Sequence, residues 1–255
     1  MPAAPRRVLV AVDGPSGSGK SSVSREVARR ASLSYLDTGA MYRAACWAAL
    51  RDGVDVGDPE AAAVVARAVT VDLSTDPDLE RVVVDGDDVT DGPDGIRGER
   101  VTGAVSAFAA HPAVREELRG RQRQVMDSAP TGCIAEGRDI TTVVAPDADV
   151  RVLLTADADA RVARRTAQLS AVAPTSAGGS AEGPAGGSAG VRAGVVERDE
   201  ADSRVTSFLT AADGVHTVDS SALSYEETVT AVLDLVRRAQ GLDGAPRGGD
   251  PGPGA

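Results

Sequence analysis

Apolar and polar positions along this chain follow two different periods, and the switches between them mark its elements. Val8-Leu9-Val10-Ala11-Val12 is an unbroken apolar run of strand length, the pattern of a strand buried on both faces. Similar short runs recur at Leu33–Leu36, Cys133–Ala135, Val150–Leu154 and Val215–Val218. Between them the spacing lengthens to the three-and-four pattern of helices. Val23 and Val27 share one face of a helix predicted over 22–31, and further helices are predicted over 40–51, 59–68, 100–108, 113–126, 158–169 and 224–240. The last opens with Ser224 and Glu227 at capping-box spacing. Short strands alternating with helices predict an α/β fold, with a parallel sheet covered on both faces.

One region breaks that rhythm. Val69–Leu73, Arg81–Val84 and Asp88–Thr90 read as short strands joined by turn-forming residues at Ser74–Asp78 and Asp85-Gly86-Asp87. They predict a small antiparallel lobe inserted into the α/β core. Two segments carry no such pattern. Ala173–Gly194 is mainly Ala, Gly and Ser and has too little apolar surface to order itself, which fits a loop or flap. Gly241–Ala255 is rich in Gly and Pro and is expected to be a disordered tail.

Composition narrows the function classes. The 255 residues carry 27 Lys+Arg against 38 Asp+Glu, a net charge of −11, so no broad surface for nucleic acid or membrane is expected. Aromatic residues are only 2%, so the core must be built from Val, Ala and Leu, and base-stacking platforms are missing. Cys46 and Cys133 lack CxxC spacing and read as buried apolar residues in a reducing compartment. His111 and His216 have no companion ligands for zinc. No apolar signal-like stretch follows MPAAPRR and no run reaches membrane-spanning length, which predicts a soluble, cytoplasmic protein.

Of the 27 basic residues every one but Lys20 is arginine. Lys20 stands in Gly14-Pro15-Ser16-Gly17-Ser18-Gly19-Lys20-Ser21, a glycine, four free positions, then Gly-Lys-Ser. This is the phosphate-binding loop pattern. A compact ammonium fits between phosphates along a tight loop where a planar guanidinium does not. A chance Gly/Ser turn is the alternative, and the strand before and helix after the loop argue against it.

Three further blocks carry candidate chemistry. Tyr35–Arg43 passes from a strand into a helix, so Thr38 and the following N–H groups lie at an anion-favouring end, with Arg43 about one turn on. Capping by Asp37 or Thr38 is the plain reading of the same residues. Glu136-Gly137-Arg138-Asp139 follows a strand, and in open α/β sheets ligands bind beyond the carboxyl ends of strands. An acid there suits a magnesium-bound water, although Arg138 and Asp139 also have the charges to pair with each other. Arg161, Arg164 and Arg165 share a helical face, where like charges repel unless an anion or the acids of Glu197–Arg204 neutralise them. A flap carrying them would close over a triphosphate and exclude water.

Taken together these blocks resemble the bacterial cytidylate kinases, a branch of the P-loop nucleoside monophosphate kinases. The resemblance runs from Val8 to Val236 and also includes Arg115 with Arg121-Gln122-Arg123, and Arg198-Asp199 with Asp202-Ser203. It implies a P-loop NTPase-type parallel sheet flanked by helices in one kinase domain over 1–240. An NMP-binding lobe would span about 38–110 and a lid about 161–204, with the tail at 241–255. The implied reaction is transfer of the γ-phosphoryl group of ATP to CMP or dCMP with Mg²⁺, by a monomer.

Residue by residue, the resemblance assigns ATP to Gly14, Pro15, Ser16, Gly17, Ser18, Gly19, Lys20, Ser21 and Ser22. It assigns CMP to Thr38, Arg43, Arg115, Arg138, Asp139, Arg198 and Asp202, and magnesium to Ser21 and, through water, Glu136. The implied catalytic set is Lys20, Arg138, Asp139, Arg164 and Arg165. Val205 stands where many members have arginine, with Arg204 one position earlier. Cytosine presents an N4 donor where uracil presents O4, so a carboxylate in the pocket separates the two bases. A small-molecule P-loop kinase of the shikimate or gluconate type and a nucleotide-binding regulatory module are the competing readings.

Overall fold

A computed structural model describes residues 5–172 and 210–242 of the chain. Strand β1 (Val8–Asp13) leads through the glycine loop into α1 (Lys20–Ala31), β2 (Ser34–Asp37), α2 (Thr38–Arg51) and α3 (Pro59–Ala68). Three short strands follow, β3 (Val71–Leu73), β4 (Val82–Val84) and β5 (Asp87–Asp88), then α4 (Glu99–Ala110) and α5 (Pro112–Ser128). The chain returns to the core as β6 (Gly132–Gly137), a π-helical turn (Ile140–Val144), β7 (Val150–Thr155) and α6 (Ala158–Val172). Beyond the undescribed stretch lie β8 (His216–Asp219) and α7 (Tyr225–Ala239).

The main sheet is wholly parallel, in the order β2-β6-β1-β7-β8. Its central strand β1 is buried along its whole length, which explains the unbroken apolar run. The pleat sends Leu9 and Ala11 to one face and Val8, Val10 and Val12 to the other, and each face has its own core. One core joins the sheet to α2, α3, α4 and α5 through Met41, Phe108, Leu118 and Met126. The other is the valine-rich layer of α1 and α7, with Val23, Val27, Val229, Val232 and Val236.

The predicted antiparallel lobe is present as the sheet β3-β4-β5. Val71 pairs with Val84 and Leu73 with Val82, and Val82 and Val84 are buried in the core that α2 lines. Asp85 and Gly86 both have positive φ, 51° and 98°, as a two-residue hairpin turn between β4 and β5 needs. The third strand, expected at Asp88–Thr90, ends at Asp88. Beyond it the Thr90 hydroxyl takes over the partner, accepting from Val82 N at 2.8 Å.

Helix α2 starts at Thr38, two residues before the expected Ala40, because Asp37 caps it by accepting from Ala40 N at 2.9 Å. The capping box of α7 is formed as read from Ser224 and Glu227. Cys46 and Cys133 are buried and free, and burial pushes each thiol up to about 12. No helix among the described residues is long and apolar enough to cross a membrane. The Gly-rich 173–194 stretch and all but the first two residues of the tail lie outside the described residues.

Phe108 is the largest fully buried side chain and one of only two phenylalanines. A core built mostly from Val and Ala has few large side chains to collapse into the space it would leave. Phe108→Ala is expected to lower unfolding free energy by about 3–5 kcal/mol, read as a fall in the urea midpoint at unchanged slope.

Candidate functional site

Parallel register decides what meets what at the carboxyl edge of the sheet. Asp13 stands opposite Gly137 across β1 and β6, and Asp37 stands opposite Glu136 across β2 and β6. The turns that leave these strands therefore start side by side, and a cavity of about 700 Å³ opens over them. Its wall includes the loop from Ser16 to Ser22, then Thr38, Tyr42 and Arg43, and Glu136 to Asp139. Arg97, Ser106, Arg115 and Arg164 complete the charged and polar lining.

The glycine loop is held by close packing as much as by hydrogen bonds. A Cβ on Gly14 would lie 2.0 Å from Leu154 O, so only glycine lets the loop turn against β7. Gly19, at φ 91°, is the N-cap of α1 with no side-chain cap and no acid in the first turn. The first N–H groups of α1 thus keep their positive end for an anion. Lys20 Nζ donates to Pro15 O at 3.0 Å, folding the ammonium back along the loop. Ser18 Oγ is buried and has no hydrogen-bond partner among the described residues, and a phosphate oxygen suits it.

Beside the loop, Glu136 is 5% exposed. Its Oε1 accepts from Ser21 Oγ at 2.5 Å and from Tyr35 OH at 3.1 Å. Burial, and then the charge of Asp37, push its pKa above the ordinary carboxylate range, while Lys20 pulls it down. A hydroxyl and a buried carboxylate, with a second carboxylate one strand away, form a hard-oxygen set suited to a small divalent cation that takes further oxygens from phosphate and water.

Arg138 and Asp139, consecutive in sequence, reach in different directions. Arg138 donates Nη1 to Gly14 O at 2.9 Å and so touches the phosphate loop. Asp139, at 6% exposure, takes its partners from α5. Arg115 Nη2 reaches its Oδ2 at 2.7 Å, and Arg119 reaches the same oxygen through Nη2 at 2.7 Å and Nε at 3.1 Å. The two residues are set in place by Asp13, whose buried carboxylate accepts from Ile140 N (2.9 Å), Thr141 N (2.8 Å) and Thr141 Oγ1 (2.6 Å). That grip shapes the π-helical turn directly after Asp139.

The remaining expected residues divide clearly. Thr38 is buried on the cavity wall and donates to Glu136 O at 2.7 Å. Its helix end is capped by Asp37, the plain reading of these residues, through a single hydrogen bond from Ala40 N, and that cap is compatible with an anion at the same terminus. Arg43 donates to Ile96 O and Thr102 Oγ1 at 3.2 and 3.0 Å, and so ties α2 to α4 while facing the cavity. Arg161 and Arg164 turn to loop carbonyls, Ser16 O and Ser18 O, each at 3.2 Å. Arg164 is also anchored on Ser220. Backbone dipoles, as well as any anion, thus offset the crowding expected of that arginine face. The Arg165 side chain, Arg198, Asp202, Arg204 and Val205 lie outside the described residues.

Sequence reasoning passed over Asp13, Tyr35, Tyr42, Arg97 and Arg119. Tyr42 OH is buried at the cavity with no hydrogen-bond partner among the described residues, and burial, then the charge of Asp139, raise it to about 12. Arg97 bridges Glu80 and Asp37, joining the small sheet's loop to the end of β2. Only Arg119 had a legible signal, since it lies one helical turn after Arg115. Among the described residues no cluster of three or more His, Cys, Asp or Glu is placed to hold a metal.

The raised pKa of Glu136 sets a sign. Such a group contributes fully to stability below its unfolded value, and the contribution falls as pH rises through its folded value. Glu136→Gln keeps an oxygen for Ser21 and Tyr35 but removes the buried charge. The ligand-free variant is expected to be more stable than the unaltered chain near neutral pH, with the gap closing toward acid pH. Urea titrations from about pH 4.5 to 8 check this, and lower stability at neutral pH would mean that Lys20 outweighs burial.

Comparison with known proteins bears on the same residues. A family model described as cytidylate kinase matches residues 10–238. A cytidylate kinase of Streptomyces avermitilis is 44% identical over 230 residues, covering 90% of this chain and 92% of the relative. One from Rhodococcus opacus is 47% identical over 236 residues, covering 92% of this chain and 97% of the relative. One from Geobacillus kaustophilus is 39% identical over 238 residues, covering 92% and 99%.

Proposed function

The chain belongs to the cytidylate kinase family, and we propose that it transfers the γ-phosphoryl group of ATP to CMP or dCMP, giving ADP and CDP or dCDP, with Mg²⁺. It is an enzyme of the nucleoside monophosphate kinase class. The observation that carries the finer reading is the single cavity wall shared by an open phosphate loop and an acid–arginine cluster. Two phosphate-bearing ligands fit such a wall end to end, one on the loop and one beyond Glu136.

In this reading the donor triphosphate lies along Gly14–Ser22, its negative oxygens facing the N–H groups of α1 and the Lys20 ammonium. Arg164 stands at the rim of the same loop. An oxygen of the acceptor phosphate attacks the γ-phosphorus, the bond to the β,γ-bridging oxygen breaks, and ADP leaves. No covalent intermediate with the protein is needed, so the catalytic work is positioning and neutralisation of charge. Ser21 and, through water, Glu136 would hold the magnesium ion, which supplies positive charge to the phosphate oxygens. Arg43 holds the acceptor phosphate, while Arg138 belongs with Thr38 and Asp139 to the side that meets the cytosine ring, and its tie to Gly14 O fixes the distance of that side from the donor loop.

The acceptor base lies toward Thr38, Arg115 and Asp139, where a carboxylate accepts from the cytosine N4 donor and meets an acceptor in uracil. The lobe containing the small sheet carries the acceptor side, Arg165 and Arg198 belong to the closing segment, and Asp202 to the sugar. Acidic overall charge limits non-specific anion binding, so selectivity rests on these arginines.

ADP formation from ATP and Mg²⁺, with CMP, dCMP, UMP, AMP and shikimate offered separately, tests the reading. Turnover is expected with CMP and dCMP, and Lys20→Met is expected to lower it by roughly 100-fold or more. Tight ATP binding with turnover of none of the five would instead favour a regulatory nucleotide-binding module, and turnover of shikimate alone a small-molecule kinase.

A further inference from the structure

Arg119 does not line the cavity, yet both of its hydrogen-bonding nitrogens end on a residue that does. It lies four residues after Arg115 on α5, so two cations occupy neighbouring positions on one helical face. Like charges at that spacing repel. Asp139 sits between them, and the three hydrogen bonds that its carboxylate receives among the described residues all fall on Oδ2. Oδ1 accepts none among the described residues, and Asp139 faces the cavity.

The asymmetry has a physical consequence. A carboxylate held by one arginine can pivot about that contact and present either oxygen. Here the second guanidinium adds two charge-assisted donors to the same Oδ2, so three N–H groups from two directions fix where that oxygen lies. With the backbone held, the side-chain torsions, and so Oδ1, follow from its position. Arg115 alone is a weaker anchor, because its other terminal nitrogen is turned to Ala109 O at 3.4 Å. Asp13 fixes the backbone just beyond Asp139, but nothing in that contact sets the Asp139 side-chain torsion.

We propose that Arg119 is a positioning residue for pyrimidine selection, locking Asp139 so that Oδ1 is aimed at the amino group of the acceptor base. This rests on the cytidine-nucleotide reading above. Since Arg119 acts only through the orientation of one acceptor oxygen, its loss affects a base that donates to that oxygen far more than one that does not. A general structural role would instead weaken both bases together.

The test is steady-state kinetics with CMP and UMP for the unaltered chain, Arg119→Met and Arg119→Lys, with a urea midpoint for each. Arg119→Met is expected to raise KM for CMP about tenfold, the effect of one charge-assisted hydrogen bond, with a smaller change in kcat. KM for UMP is expected to stay nearly constant, so the CMP-to-UMP ratio of kcat/KM shrinks about tenfold. Arg119→Lys, which restores one donor, should recover part of that ratio. Parallel losses for both bases, or an unchanged ratio in folded variants, would overturn the role of Arg119 alone. Lack of CMP turnover by the unaltered chain would overturn the kinase reading and this inference with it.

Discussion

Strand β6 hydrogen-bonds to β1 along one edge and to β2 along the other, with all three running the same way. Their carboxyl ends finish level, and their exits carry Asp13, Asp37, Glu136 and, two residues past the strand, Asp139. Four carboxylates gathered at one edge of a parallel sheet would repel and resist burial. The hydrogen bonds and cations around these four acids offset that crowding.

Each acid is handled differently, and the differences divide the labour. Asp37 spends its charge on the start of α2 and on Arg97. Asp13 is wholly internal, satisfied by two amides and a hydroxyl of the π-helical turn, and works as a bracket. Among the described residues Glu136 accepts from the neutral donors Ser21 and Tyr35, and burial and the Asp37 charge leave its pKa raised although the Lys20 ammonium pulls it down. Asp139 receives two guanidinium groups on one oxygen, and its carboxylate faces the cavity. Charge balance, packing and chemistry meet in the same few residues.

The phosphate loop and the acid edge are joined mechanically. Arg138 reaches back to Gly14 O, Ser21 reaches across to Glu136, and Arg164 links Ser18 O to Ser220 after β8. A shift of the loop therefore displaces the turn from Glu136 to Asp139 as well. Phosphoryl transfer depends on the spacing of two anionic ligands, and these ties hold that spacing within the rigid sheet edge rather than in the connecting loops.

Much of this was legible before any coordinates. The apolar run at Val8–Val12, the glycine loop ending in Lys20, the capping box of α7 and the irregular stretch of the small sheet all follow from local rules. Periodicity, capping and turn chemistry act over a few residues, so sequence carries them directly. Distant pairings are set by strand order and register, which local pattern does not encode. Nothing in the sequence says that β6 enters between β1 and β2, and only that placement brings Asp37 beside Glu136. The partners of Arg119 and Asp13 were hidden for the same reason, since each acts on a residue 20 or more positions away, although the spacing of Arg119 from Arg115 was itself legible. Sequence determined which groups were available and which elements would carry them. The tertiary structure decided which charges face each other, because burial and pairing exist only once the strands are side by side.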